Sequence, residues 1–163
     1  PPTPADLDTV TQQLGRRVRG VRTIAARCAS GHPSVVETEP RLADGTPFPT
    51  LYYLTCPRAV AATSTLESIG TMKELADELA ADPELAAAYR AAHESYLARR
   101  EAIAHVEEIA GITAGGMPDR VKCLHVLVAH SLAAGAGVNP IGDRALDLMK
   151  DAWTPVTCDW SPA

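Results

Sequence analysis

The chain has 163 residues, of which 46% are hydrophobic and 21% are charged. This composition predicts one folded domain, residues 1–163, with enough apolar side chains for a buried core. The formal net charge of −5 argues against general binding to nucleic acid or to an anionic membrane surface. No apolar run reaches the roughly 18 residues that a membrane-spanning helix needs. Four cysteines are too few for a disulfide scaffold, so we expect a cytoplasmic protein with reduced thiols.

The first fifteen residues predict a short helix. Thr3 is a suitable cap, Pro4 suits the first helical position, and Gly15 is a suitable stop. Five arginines follow within a dozen residues, at positions 16, 17, 19, 22 and 27. This Arg16–Arg27 patch predicts either a surface for an acidic partner or a set of solvated arginines that balance acidic helices elsewhere in the chain.

Three short runs rich in β-branched or aromatic residues come next, at 21–28, 34–42 and 50–56. Each run is bounded by glycine or proline, which is typical of strands joined by turns. The simplest arrangement is an antiparallel meander. In a meander the first and third strands run in the same direction, so their carboxyl ends, which carry Cys28 and Cys56, can meet.

The remainder of the chain is predicted to be helical. Thr71 and Glu74 have the spacing of a capping box, and Asp82 followed by Pro83 is typical of a helix start. The most apolar helix is expected to be central. The fold class is therefore α+β, with a small antiparallel three-stranded sheet near the N-terminus followed by a helical majority. The predicted helices span 59–69, 71–81, 83–104, 119–134 and 141–150.

The cysteines are the strongest indication of function. Thiolates bind zinc or iron–sulfur clusters, although the chain has no paired C-x-x-C motif. We expect Cys28, Cys56 and Cys123 to be ligands, with His125 or Cys158 as a possible fourth. On an ideal helix His125 points away from Cys123, so Cys123 would need remote partners. The alternative is that the thiols are small buried hydrophobic groups.

A second hypothesis concerns the segment before the predicted central helix. Gly115, Gly116, Arg120 and Lys122 combine a flexible backbone, two cations and a helix start, which is typical of an anion-binding site. Cys123 would lie about one turn into that helix, where its pKa is lowered, as in a nucleophile. The alternative is an ordinary helix start, since the P-loop motif is absent. Whether the protein is an enzyme stays open.

Several segments resemble a bacterial family catalogued as domain of unknown function 501. The resemblance rests on Arg27-Cys28-x-x-Gly31-x-Pro33, Pro47-Phe48-Pro49-Thr50-Leu51-Tyr52-Tyr53-Leu54-Thr55-Cys56-Pro57, Gly115-Gly116, Lys122-Cys123-Leu124-His125 and Asn139-Pro140-x-Gly142. It extends over nearly the whole chain and implies a shared site at Cys28, Cys56 and Cys123. It implies no established activity.

Overall fold

A three-stranded antiparallel sheet and six α-helices make up the structure, a computed structural model that describes residues 1–163. This architecture confirms the α+β fold class. None of the helices is long and apolar enough to cross a membrane. The strands are β1 (Val21–Arg27), β2 (Pro33–Thr38) and β3 (Tyr52–Leu54), and the helices are α1 (Pro4–Leu14), α2 (Pro57–Ser68), α3 (Thr71–Ala81), α4 (Pro83–Ile103), α5 (Leu124–Ala134) and α6 (Pro140–Leu148), with a 3-10 turn at Glu107–Ile109.

The sheet has the order β1-β2-β3, which confirms the predicted meander. Both outer strands are antiparallel to β2 and therefore run in the same direction. Their carboxyl ends lie at one edge of the sheet, just before Cys28 and Cys56. The second and third strands are shorter than predicted, and Pro40, which cannot donate to a strand ladder, lies in the excluded part of the second.

Local caps explain several helix boundaries. Thr3 and Asp6 form a reciprocal capping box, and Gly15 ends α1 in the left-handed conformation. Asp82 accepts hydrogen bonds from the backbone N–H groups at the start of α4. The capping box predicted at Thr71 is absent: Gly70 caps α3 in the left-handed conformation, and Thr71 is a buried helical residue.

Helix α5 begins at Leu124, five residues later than predicted. The preceding segment folds back on the glycine pair instead, because the carbonyl of Gly115 accepts the N–H groups of Lys122 and Cys123 and that of Gly116 accepts the N–H of Arg120. Cys123 is consequently an extended residue immediately before the helix, with φ −149° and ψ 108°.

The main hydrophobic core surrounds α5. Its residues Leu124, Leu127, Val128 and Ala129 are fully buried, in agreement with the prediction that this helix is central. From α4, the buried Tyr96 hydroxyl accepts the backbone N–H of Leu51 at 2.7 Å. This contact joins the longest helix to the segment that leads into β3 and so positions the strand that ends before Cys56.

Candidate metal centre

Three thiols from three distant parts of the chain meet in the interior. Cys28, Cys56 and Cys158 are all buried, and their sulfur atoms lie within 4.8 Å of one another. The Sγ atoms of Cys56 and Cys158 are 3.7 Å apart, and none of the cysteines forms a disulfide. We call these residues the thiol trio.

The first two thiols are positioned by the edge of the sheet. Cys28 opens the tight turn after β1, where its N–H donates to the carbonyl of His32 at 3.0 Å and its carbonyl accepts the N–H of Gly31 at 2.8 Å. Cys56 is the residue before α2, and Pro57 occupies the first helical position. Because β1 and β3 run in the same direction, the turn and the helix start lie side by side.

The C-terminal tail supplies the third thiol. Cys158 donates its N–H to the carbonyl of Thr154 at 3.1 Å, and the N–H of Ala29 donates to the carbonyl of Pro155 at 2.8 Å. The side chains of Arg58 and Asp159 form an ion pair. The rings of His32 and Trp160 meet edge to face, with centroids 5.5 Å apart. These contacts fix the tail over the other two thiols.

Negative charge is not equally favoured at Cys28 and Cys56. The pKa of Cys56 is lowered, first by the hydrogen bond with Cys28 and also by the N–H groups of Ala59 and Arg58 in the first turn of α2, although burial opposes the shift. The pKa of Cys28 is raised, because its proton is held in the bond to Cys56 and because the thiol is buried. One thiolate is therefore favoured at Cys56, where a helix N-terminus stabilises negative charge.

Cys123 and His125 do not lie with Cys28 and Cys56. They form a separate half-buried group with Glu67, again with ligand atoms within 4.8 Å of one another. Cys56 precedes the start of α2 and Glu67 lies near its end, about 16 Å further along the helix axis. The expected grouping of Cys28, Cys56 and Cys123 is therefore replaced in the structure by one in which Cys158 is the third member.

The expectation that His125 points away from Cys123 also fails. That expectation placed both residues on one ideal helix, whereas Cys123 has an extended backbone outside α5. The ligand atoms of the two side chains lie within 4.8 Å of each other, and the neighbouring Cys123 thiol is the largest cause of a raised pKa at His125.

The predicted anion-binding loop is folded on itself. The N–H groups of Arg120 and Lys122 are bonded to the glycine carbonyls, and a Cβ on Gly116 would overlap the backbone of Arg120. At the start of α5 the N–H of Leu124 is already bonded to the carboxylate of Glu67 at 2.8 Å. Anion binding at Gly115, Gly116, Arg120 and Lys122 stays a prediction. The N–H of Leu124 is not free to donate to such an anion, because it donates to Glu67.

The Arg16–Arg27 patch is largely paired within the protein. Arg27 forms a two-pronged bond with Asp6, at 2.9 Å for each oxygen, and Arg19 pairs with Asp44 at 3.0 Å. The Arg16 guanidinium lies 5.8 Å from the centre of the Tyr53 ring. Arg22 pairs with acidic residues of β2 and of the segment that follows it. The acidic partner of this patch stays a prediction.

The sequence does not single out Glu67 as a site residue, and it gives Cys158 only a secondary place. Neither residue lies in a motif, so no local pattern distinguishes them from other acidic residues or other cysteines. Glu67 is three residues after Ser64 on α2, and this helical spacing puts both side chains on one face. That spacing was the only available indication.

Comparison with known proteins gives one family match. Residues 24–147 match the model of the family described as "Protein of unknown function (DUF501)". The matched range includes Cys28, Cys56, Cys123 and His125 and ends before Cys158. No curated protein and no solved structure matches significantly.

Proposed function

The chain belongs to the DUF501 family, and from the geometry of the thiol trio we propose that it is a metal-binding protein whose Cys28, Cys56 and Cys158 hold one zinc ion. The observation that carries this proposal is the convergence of three buried thiols from the turn after β1, the start of α2 and the tail.

The sulfur separations suit a single ion. Zinc–sulfur bonds of about 2.3 Å at a tetrahedral angle put two ligand sulfurs about 3.8 Å apart. The sulfurs of Cys56 and Cys158 are 3.7 Å apart. In an iron–sulfur cluster each iron takes at most two cysteine thiolates, so three thiols that all lie within 4.8 Å of one another do not fit a cluster. The trio therefore favours one ion over a cluster.

Charge also favours a cation at this position. Three ionised thiolates in an interior would repel one another and lose hydration. A divalent cation offsets that cost and accepts all three sulfurs as ligands. Three protein ligands leave one coordination position for water.

The proposed role of the ion is to join the tail to the rest of the fold. Cys28 and Cys56 are already neighbours through the sheet, whereas Cys158 is 102 positions along the chain from Cys56. Metal binding to a folded site adds directly to stability. Buried thiols that act only as small hydrophobic groups would give no gain in stability when zinc is added. The effect of zinc on stability therefore distinguishes a metal site from a purely hydrophobic cluster.

The test is metal analysis of protein purified under reducing conditions, beside Cys158→Ser. We expect one zinc per chain in the parent protein and at least about tenfold weaker binding in the variant. At a free zinc concentration about one hundred times Kd, zinc should raise Tm by roughly 5–10 °C. Cobalt substitution would report thiolate ligation through its charge-transfer absorption.

Cys123→Ser is the matched control, because it removes a thiol that lies outside the trio. Zinc content and Tm should stay at the parent values in this control. The proposal is wrong if the reduced protein binds no zinc, or if binding depends on Cys123 and not on Cys158. A Cys56–Cys158 disulfide in metal-free protein, detected by mass spectrometry, would point to redox chemistry instead.

A further inference from the structure

A second chemical site lies near the far end of α2, outside the thiol trio. Cys123, His125 and Glu67 form a half-buried group. Nδ1 of His125 is 3.2 Å from Oε2 of Glu67, and Nε2 is 3.1 Å from Oγ of Ser64. The Glu67 carboxylate accepts from one ring N–H, and the Ser64 hydroxyl, which can donate or accept, accepts from the other nitrogen when the ring is an imidazolium.

The thiol of Cys123 is held beside this imidazole and over a helix start. Burial alone would raise its pKa, but the neighbouring His125 ring and the N–H of Val126 in the first turn of α5 outweigh burial, and the pKa of Cys123 is lowered. The pKa of His125 is raised, mainly by Cys123 and also by Glu67. The pair is therefore biased towards thiolate and imidazolium, the form in which a cysteine is nucleophilic.

The pair opens into an apolar cavity. The cavity has a volume of about 380 Å³, and Cys123 and His125 are part of its wall. Its other walls come from α1, α2, α5 and β3 with the segment before it, and are mostly apolar: Leu14, Tyr52, Tyr53, Leu54, Val60 and Val126. Such a wall selects a ligand whose substituent is a hydrocarbon chain.

We propose that Cys123 is a catalytic nucleophile that accepts an acyl group with an apolar chain from an activated ester or thioester, and that His125 donates a proton to the leaving group. Glu67 is a positioning residue, since it contacts His125 and the N–H of Leu124 and not the cavity.

The chemical step is balanced without a cofactor. The Cys123 thiolate attacks the carbonyl carbon, and a carbon–sulfur bond forms as the carbonyl π electrons move to oxygen. The tetrahedral intermediate then expels the alkoxide or thiolate leaving group, which takes the proton of the His125 imidazolium. Water, deprotonated by the now neutral imidazole, hydrolyses the acyl-thioester and restores the thiolate.

A zinc ion bound by Glu67, Cys123 and His125 is the competing interpretation. The thiolate–imidazolium pair is favoured because the polar atoms already satisfy one another: Oε2 of Glu67 accepts from Leu124 N–H, and both nitrogens of His125 have partners. A metal would have to displace the bond between Glu67 and His125.

The test is reaction of the whole protein with p-nitrophenyl hexanoate and with p-nitrophenyl acetate. We expect a burst of one nitrophenolate per chain and an acyl group on the peptide that contains Cys123. The hexanoyl ester should acylate at least about tenfold faster than the acetyl ester, because the cavity buries the longer chain. Cys123→Ser should abolish the burst.

His125→Gln should slow acylation about 10²-fold, the effect expected for loss of a general acid or base. His105→Gln is the matched control, because both ring nitrogens of His105 also have polar partners, Glu101 and Glu107, but His105 is exposed and lies outside the site. It should react at the parent rate.

Two outcomes overturn the proposal, and the first is read on the parent protein alone. One is that the parent protein is acylated at a residue other than Cys123, or that the two esters acylate it at equal rates. The other is stoichiometric zinc in the parent that Glu67→Gln releases, which would make the group a metal site. The thiol trio takes no part in this reaction, so its proposal stands or fails separately.

Discussion

His130 on α5 is a buried histidine in an aromatic cluster. Its ring stacks on Tyr52 with centroids 5.9 Å apart and meets Tyr96 edge to face at 5.0 Å. Nδ1 of His130 lies 3.1 Å from the amide nitrogen of Asn139, which can only donate. His130 is therefore neutral, with Nδ1 as the acceptor. Burial lowers its pKa to about 4.

His130 should make the free energy of unfolding depend on pH between about 4 and 6.5. The folded pKa lies below the unfolded value, so the unfolded chain binds more protons in this window and stability falls as the pH is lowered through it. The loss approaches roughly 3 kcal/mol when the window is crossed completely. Urea unfolding at several pH values, for the parent and His130→Asn, measures the effect.

The variant should lose most of this pH dependence, because asparagine keeps an acceptor for Asn139 but does not titrate. His105→Gln serves as the control with the opposite sign, since the pKa of exposed His105 is raised by Glu107 and Glu101. Equal pH slopes for the parent and His130→Asn would show that His130 is not the titrating group.

At the scale of elements, helices α5 and α6 cross in close contact, and this contact fixes the position of the central helix α5. Gly142, in the first turn of α6, packs directly against the carbonyl of Leu127 and the hydroxyl of Ser131. The side chain of Asn139 caps α6 by accepting the N–H of Gly142 at 3.0 Å. The absence of a side chain at position 142 therefore permits the contact between the two helices.

Gly142→Ala should destabilise the protein by about 2–3 kcal/mol, because the added Cβ overlaps α5. Alanine in place of glycine inside a helix ordinarily stabilises by about 0.5–1 kcal/mol, so the sign itself is diagnostic. The free energy of unfolding in urea is the measurement. Adding Ser131→Gly should restore only part of the lost stability, since the Leu127 carbonyl remains in the way. A Gly142→Ala variant as stable as the parent protein would contradict the close crossing.

At the scale of the whole molecule, Arg100 joins regions that no regular element connects. It is 1% exposed and donates to the carbonyl of Pro49 at 2.8 Å and to those of Ile109 and Ile112. Burial lowers its pKa. The guanidinium thus links α4 to the segment before β3 and to the loop after α4.

Arg100→Lys should cost about 2–4 kcal/mol of unfolding free energy. Lysine lacks the planar fork that reaches several carbonyls at once, and each buried carbonyl left unpaired costs about 1–3 kcal/mol. Arg90→Lys is the matched control, because Arg90 is an exposed residue of the same helix, and it should change stability by less than about 0.5 kcal/mol. Equal losses in both variants would rule out the linking role.

The sequence was sufficient for most features that depend on near neighbours, although the capping box predicted at Thr71 does not form. The cap at Thr3, the cap at Asp82 and the stop at Gly15 are formed by residues within one turn, and the meander follows from strands separated by glycine and proline turns. The shared direction of β1 and β3, which brings Cys28 beside Cys56, follows from the same meander.

Only the tertiary structure decided which groups join these elements at the candidate sites. At the start of α5 the Glu67 carboxylate of α2 accepts the N–H of Leu124, a contact that no local pattern encodes. That start makes Cys123 extended and places it with His125. The C-terminal tail brings Cys158 to the trio through contacts with Ala29, Arg58 and His32. The sequence therefore identified the candidate cysteines, and long-range packing determined which of them meet.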